Sequence, residues 1–130
     1  MKLITGGSYQ GKAEAACSLF GISSEDIISG SACDFEEVLT AKCIRDYHIF
    51  VSRLMDKGTD PIEFTERLCR ENSSCIIIMD EIGCGIVPMD RRERVYRENV
   101  GRCGCIIAAE SDEVVRVICG IAQILKGEGK

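Results

Sequence analysis

The residues best suited to chemistry lie near the start of this 130-residue chain, where a glycine-rich loop leads to a lysine. Glycine allows the positive φ angles that turn backbone N–H groups inward, and a helix N-terminus and a lysine ammonium both attract an anion. The spacing is that of a phosphate-binding loop, although an ordinary strand-to-helix turn also uses glycine. The sequence therefore predicts nucleotide-phosphate contacts from Gly6, Gly7, Ser8, Tyr9, Gln10, Gly11, Lys12 and Ala13.

The last position of this loop departs from the usual pattern. Ala13 stands where a Ser or Thr hydroxyl normally binds Mg²⁺. A metal ion bound with the nucleotide therefore needs protein ligands from another part of the chain.

Two acidic residues, Asp80 and Glu81, follow the apolar run 75–79. Such a run is typical of a strand inside a parallel sheet, and ligands of these sheets bind at the carboxyl ends of the strands. The arrangement looks like a Walker B segment facing the glycine loop. We expect Lys12, Asp80 and Glu81 to be catalytic, with Asp80 as a metal ligand or either acid as a base toward a hydroxyl. The alternative is that the two acids simply end a strand in solvent.

Strands and helices alternate along the chain, which predicts one α/β domain over residues 1–130. Apolar runs predict strands at 2–5, within 24–30, at 75–79 and at 113–119. Caps and apolar periodicity predict helices at 12–20, 35–42 after Asp34, 47–57, from 61 onward after Asp60, and 91–109 after Asp90. The fold class that follows is a three-layer P-loop domain with a small, mostly parallel sheet.

The composition narrows the function classes. A net charge of −5 argues against general binding to nucleic acid or to anionic membranes. No apolar run approaches the roughly 20 residues of a membrane helix, and the apolar start of the chain is too short for a signal peptide. We therefore expect a cytoplasmic protein.

Nine cysteines are an odd number without any C-x-x-C pair, which indicates reduced thiols rather than a disulfide framework. Cys17, Cys75, Cys103 and Cys119 lie in apolar stretches and are expected to be buried. Cys84, between two glycines, is the cysteine expected to face a site.

A more specific pattern begins at Glu81. Residues 81–88 read E-x-G-x-G-I-V-P, and an arginine-rich helix containing Arg94 and Arg97 follows. Together with the glycine loop, this pattern resembles the adenosylcobinamide kinase / adenosylcobinamide-phosphate guanylyltransferase family of cobalamin biosynthesis. The resemblance covers the N-terminal loop and helix and nearly everything from Cys75 onward.

The resemblance implies a RecA-like P-loop fold, a homo-oligomer, a small-molecule corrinoid substrate, GTP or ATP, and Mg²⁺. It implies phosphorylation of the aminopropanol hydroxyl of adenosylcobinamide, then transfer of GMP from GTP to that phosphate through a guanylylated histidine. Glu81 falls on the family's glutamate, and Gly83, Gly85, Arg94 and Arg97 would contact substrate or phosphate. For the arginines, the alternative is ion pairing with acidic neighbours on a solvated helix face.

The chain departs from the family between the second strand and Cys75, the region in which the family carries its guanylylated histidine. The single histidine here, His48, lies in a different context and is either a packed, hydrogen-bonded residue or a catalytic one. Two other functions therefore stay open. One is a relative that binds nucleotide or corrinoid without turnover, and the other is a P-loop NTPase with another substrate.

Overall fold

Alternating strands and helices build one sheet in the residues that the computed structural model describes, which are 1–8, 10–82 and 90–127. The strands are β1 Lys2–Gly6, β2 Ile27–Ser29, β3 Cys43–Arg45, β4 Ile76–Asp80, β5 Glu113–Ile118 and β6 Ile121–Lys126. The helices are α1 Lys12–Phe20, α2 Tyr47–Lys57, α3 Pro61–Glu71 and α4 Arg91–Glu110, with short 3₁₀ turns at Ser24–Asp26 and Glu37–Leu39.

Local capping explains where several helices begin and end. The Asp60 and Asp90 side chains each accept a hydrogen bond from the N–H two residues later, at 3.0 and 2.7 Å, so α3 and α4 start as predicted. Gly21 ends α1 in the left-handed conformation, with φ of 65°. Over residues 1–8, 10–82 and 90–127, none of the helices is long and apolar enough to cross a membrane.

The helices cover both faces of the sheet. α1 packs through Ala16 against Ile4, Ile78 and Val115 on one face. The other face, which includes Ile77, is covered by α2, α3 and α4. Because β4 is buried on both sides, its residues from Ile76 to Met79 form a continuous apolar run rather than an alternating one. The predicted three-layer α/β architecture is confirmed.

The strand order β2-β3-β4-β1-β5-β6 places β1 near the centre of the sheet. Strands β1 to β5 run parallel, and Gly6 at the end of β1 is aligned with Asp80 on one side and Val117 on the other. A Cβ on Gly6 would lie 2.4 Å from the Val117 carbonyl oxygen, at a φ of 153° that side chains rarely adopt. Glycine is therefore required where the chain leaves the sheet for the loop.

The predicted helix at 35–42 is wrong. Asp34 does not begin an α-helix there, because the chain makes only the 3₁₀ turn Glu37–Leu39 and then enters β3. Cys43 and Ile44 pair with the buried strand β4, and this tertiary pairing overrides the local helical preference. A strand of three residues is too short to show a periodic pattern.

Strand β6, like β3, was not expected from the sequence. Cys119 and Gly120 both have positive φ, 51° and 78°, and this two-residue turn folds β6 back antiparallel to β5. The expectation that Cys119 is buried is therefore wrong, since it lies exposed in the turn.

The described cysteines are free thiols, as the odd count suggested. Cys75 and Cys103 are buried as expected, whereas Cys17 is half-buried. Burial raises the pKa of Cys75 to about 12, so this thiol stays protonated and behaves as a small apolar side chain.

Candidate nucleotide site

The carboxyl ends of β1, β3 and β4 meet at a cavity of about 790 Å³. The glycine loop and the first turn of α1 contribute Ser8 and Lys12 to its lining. The segment that joins β3 to α2 contributes Asp46 and His48, and Asp80 comes from the end of β4. This volume lies in the range of small-molecule binding sites.

A lysine–carboxylate pair joins the loop to β4. Lys12 Nζ lies 2.7 Å from Asp80 Oδ1 and donates to the Gly7 carbonyl oxygen at 2.6 Å. Ser8 Oγ donates to Asp80 Oδ2 at 2.7 Å. Burial opposes ionisation of Asp80, but the hydrogen bonds from Lys12 and Ser8 outweigh it and hold its pKa below the usual value. Lys12 is only 8% exposed, so the pairing compensates a charge that water hardly reaches.

His48 brings α2 into the same cluster. Its Nδ1 accepts a hydrogen bond from the Asp80 backbone N–H at 3.1 Å, and its Nε2 lies 3.4 Å from Asp80 Oδ2. Burial lowers the pKa of His48, and the nearby charges of Asp80 and Asp46 offset this only in part. Because Nδ1 accepts a bond from an N–H group, the ring is neutral and its proton is on Nε2. The neutral His48 ring and the Asp80 carboxylate are therefore close neighbours rather than an ion pair.

The loop has the features of an anion site. α1 begins at Gly11, whose φ of 86° is left-handed, and no side chain caps it in the described residues. The first N–H groups of a helix lack partners within it, so they and Lys12 can meet phosphate oxygens. Gln10 plays another part, because its side-chain oxygen accepts from the Cys119 N–H and its carbonyl accepts from the Gly120 N–H at 3.0 Å. The β5–β6 turn thereby holds the loop in place.

The family model for cobinamide kinase / cobinamide phosphate guanyltransferase matches residues 40–125. The chain belongs to this family. It is similar to the bifunctional adenosylcobalamin biosynthesis protein CobU of Salmonella typhimurium, with 34% identity over 68 residues. That stretch is 52% of this chain and 38% of the relative, so the likeness spans well under half of the relative's length. The resemblance noted in the sequence is confirmed.

The glycine loop precedes the segment that the cobinamide kinase family model matches, which starts at residue 40. The two parts meet through the contact between Lys12 and Asp80. The loop and the family segment therefore contribute to one cavity.

Glu81, the glutamate expected to be catalytic, points away from this cavity. The Glu81 N–H donates to the Gly6 carbonyl at 2.8 Å, which continues the ladder between β4 and β1. Its side chain lies beside β5, with Oε2 2.8 Å from Arg116 Nε, and it is not part of the described cavity lining. The neighbouring acids Asp80 and Glu81 thus face different surroundings.

The arginines of α4 also lie apart from the described lining of the cavity. Arg94 is exposed, and Arg97 lines a separate groove along α4, with Nε 3.4 Å from Glu93 Oε1. Four residues expected at the site fall outside the described part of the chain. They are Tyr9, Gly83, Cys84 and Gly85.

The described side chains around the cavity offer few ligands for Mg²⁺. Within residues 1–8, 10–82 and 90–127, no group of three or more His, Cys, Asp or Glu side chains could hold a metal ion. Asp80, the predicted ligand, already accepts from Lys12 and Ser8, and Ala13 offers only a methyl group. These residues alone do not fit a bound Mg²⁺ ion.

Sequence reasoning missed Arg45 and Asp46, which line the cavity. Asp46 has a left-handed φ of 56°, uncommon for a residue other than glycine, at the junction of β3 and α2. These residues were missed because β3 was not predicted from the sequence. Once residues 43–45 are read as a strand beside β4, the residues that follow must lie at the carboxyl edge next to Asp80.

Proposed function

We propose that this chain binds GTP or ATP through the loop at residues 6–13 and transfers the terminal phosphoryl group to the hydroxyl of adenosylcobinamide. The observation that carries the proposal is the 2.7 Å contact between Lys12 Nζ and Asp80 Oδ1. This contact brings the lysine of the glycine loop to an acid of the segment that matches the cobinamide kinase family, which supports the proposal. A cation for phosphates and a carboxylate for a hydroxyl are the two groups that a kinase reaction needs side by side.

In the proposed reaction, Lys12 and the first N–H groups of α1 bind the nucleotide phosphates and stabilise the charge that develops on them. Asp80 accepts the proton of the acceptor hydroxyl, whose oxygen forms a bond to the terminal phosphorus. The bond between that phosphorus and the bridging oxygen breaks, and the nucleoside diphosphate leaves. We expect a divalent ion to be held chiefly by the phosphates themselves, since the described side chains offer no separate site.

The environment of His48 favours the kinase step over guanylyl transfer. A histidine that receives GMP needs a ring nitrogen free to attack phosphorus. In His48 one nitrogen accepts the Asp80 N–H and the other faces the Asp80 carboxylate, and the residue is only 7% exposed. We therefore do not assign the guanylylated histidine to it.

A second candidate function is nucleotide or corrinoid binding without turnover. Ala13, in place of the usual hydroxyl, is the observation that favours it. A P-loop NTPase with an unrelated substrate predicts hydrolysis that does not respond to corrinoid.

The test is incubation of the protein with Mg²⁺, adenosylcobinamide and either GTP or ATP, followed by mass spectrometry of the corrinoid. The proposal expects the phosphorylated corrinoid, in amounts matched by the nucleoside diphosphate released. Nucleotide binding without product supports the binding relative. Hydrolysis at the same rate with and without corrinoid supports the NTPase.

The homo-oligomer expected from the family resemblance stays a prediction. β6 leaves Ile121, Ile124 and Leu125 exposed at one edge of the sheet, which is the kind of apolar surface that contact with a second copy would cover. Light scattering during size-exclusion chromatography measures the oligomeric state.

A further inference from the structure

We propose that His48 is a positioning residue, which holds the Asp80 carboxylate in the orientation needed to accept the substrate's proton. The inference rests on the proposed function, in which Asp80 acts on the acceptor hydroxyl. It concerns the lone histidine of the chain, which the phosphate-loop motif and the family segment 81–88 leave without a role.

Both ring nitrogens of His48 lie close to Asp80. Nδ1 accepts the Asp80 backbone N–H at 3.1 Å, and Nε2 faces Oδ2 of the same residue at 3.4 Å. The first contact leaves the ring proton on Nε2, so the second contact brings a protonated ring nitrogen close to the carboxylate without a hydrogen bond between them. One rigid ring thus links the backbone and the side chain of Asp80.

The backbone that carries the His48 ring is also held in place. The Tyr96 hydroxyl on α4 donates to the His48 carbonyl oxygen at 2.9 Å. His48 lies in the first turn of α2, which begins after the left-handed Asp46. It is 7% exposed, so the ring has little room to change rotamer.

The location of His48 on α2 matters because the other polar partners of Asp80, Lys12 and Ser8, belong to the phosphate loop and the start of α1. Lys12 and Ser8 both reach Asp80 from the loop. Bound phosphates would compete with Asp80 for Lys12. Of the described side chains that the hydrogen bonds and ion pairs join to Asp80, His48 is the one that does not come from the glycine loop or α1. It would keep the carboxylate oriented when Lys12 turns to the nucleotide.

A purely structural role for His48 would need only its Nδ1 contact with the Asp80 backbone N–H. β3 pairs with β4 at Ile76 and Ile77, so the Asp80 N–H lies beyond the end of that ladder. His48 Nδ1 supplies the acceptor that a longer β3 would have supplied. A strand cap needs Nδ1 alone, whereas positioning the carboxylate also needs Nε2.

The substitution His48→Asn separates the two roles. The asparagine oxygen can take the place of Nδ1 and accept the Asp80 N–H, but its side chain is too short to reach the carboxylate as Nε2 does. We expect this variant to keep the wild-type unfolding temperature and the KM for nucleotide. Its kcat for corrinoid phosphorylation should fall about 10- to 100-fold, as expected for a misplaced reacting group. His48→Ala, which removes both contacts, should lower kcat and the unfolding temperature together. An asparagine variant with full kcat would overturn the proposal and leave His48 as a strand cap.

A second readout does not depend on turnover. Since the chain contains one histidine, its imidazole ¹⁵N resonances are assigned without ambiguity. We expect the Nε2–H tautomer, with an Nε2 shift that moves in Asp80→Asn and stays in the surface control Asp56→Asn. A ring protonated on Nδ1 would overturn the proposed contact between the His48 ring and Asp80, even in an active enzyme. So would an Nε2 chemical shift that is the same in the wild type and in Asp80→Asn. A wild-type protein that shows the expected tautomer but makes no phosphorylated corrinoid would instead overturn the proposed function, and the positioning role with it.

Discussion

Asp80 and Glu81 are neighbours at the end of one strand, yet their carboxylates lie in opposite settings. Asp80 faces the cavity, where its side chain is 17% exposed and is contacted by Lys12, Ser8 and His48. Glu81 faces away, with a side chain 31% exposed and an ion pair to Arg116 on the outer part of the sheet. Successive side chains of a strand point to opposite faces, so a pair of acids rarely shares one role.

The comparison explains why a motif alone does not assign a catalytic acid. Glu81 is the residue that the sequence resemblance predicts to be catalytic, but the described cavity is lined by Asp80. In this chain the Lys12 ammonium and the Ser8 hydroxyl converge on Asp80 because Gly6, from which the loop departs, is aligned with it across β1 and β4. If this asymmetry also holds in function, substitutions of Asp80 and Glu81 should differ strongly in their effect on turnover.

Asp80→Asn is expected to have the largest effect on turnover. Loss of the base should lower the rate of corrinoid phosphorylation by about 10²- to 10⁴-fold. Nucleotide affinity should not fall, since Lys12 is released from its pairing with Asp80 and meets the phosphates at lower cost. Calorimetry and a phosphorylation assay measure the two effects, with the exposed Asp56→Asn as the matched control. If affinity and turnover fell together by the same factor, Asp80 would be a binding residue rather than a base.

His48 should make stability depend on pH. Its pKa in the folded protein is lowered from the usual 6.5 because of burial, so the unfolded chain takes up the proton first as pH falls. The folded state is therefore fully favoured above about pH 6.5 and loses stability below it, by up to about 1.4 kcal/mol per pH unit until the folded ring also protonates.

Urea unfolding between pH 7.5 and 5.5 measures this dependence. In His48→Asn the part of the slope that comes from the histidine should disappear, while the contribution of Asp80, whose lowered pKa lies below 3.8, stays outside this range. Identical slopes in the two proteins would mean that the ring is not buried in the neutral form.

Glu81→Gln should have the smallest effect. Both partners of its ion pair are substantially exposed, with side chains 31% and 43% accessible, and such pairs contribute about 0–1 kcal/mol. We expect a change in kcat well below that of Asp80→Asn, measured in the same assay. A loss as large as that of Asp80→Asn would break the comparison, because it would make the glutamate of the family motif a catalytic residue here.

The parts of the fold with strong local signals could be predicted from the sequence. The glycine loop, α1, and the starts of α3 and α4 depend on residues within a few positions of one another, such as Asp60 with Pro61. The β3 strand depends on a partner more than thirty residues away, Cys43 with Ile76, and no local pattern shows it. The helix predicted at 35–42, just before β3, followed capping preferences that tertiary pairing overrode.

The same reasoning applies to the candidate site. Lys12 and Asp80 could be placed together, since both follow strands of one parallel sheet. The contact of His48 could not, because it needs the position of β3 first. The direction of Glu81 also needed the structure, since a motif does not state which face of a strand its residues occupy.

Calorimetric titration with GTP and ATP, in the presence of Mg²⁺, shows whether the glycine loop binds nucleotide when the wild type is compared with Lys12→Ala and Lys42→Ala. Lys42 is a matched control, since it is 73% exposed and pairs with Asp26 outside the described cavity lining. We predict wild-type binding of at least one nucleotide near micromolar strength, about −8 kcal/mol, lost in Lys12→Ala and kept in Lys42→Ala. No binding by the wild type, or equal binding by Lys12→Ala, would contradict a nucleotide site at this loop.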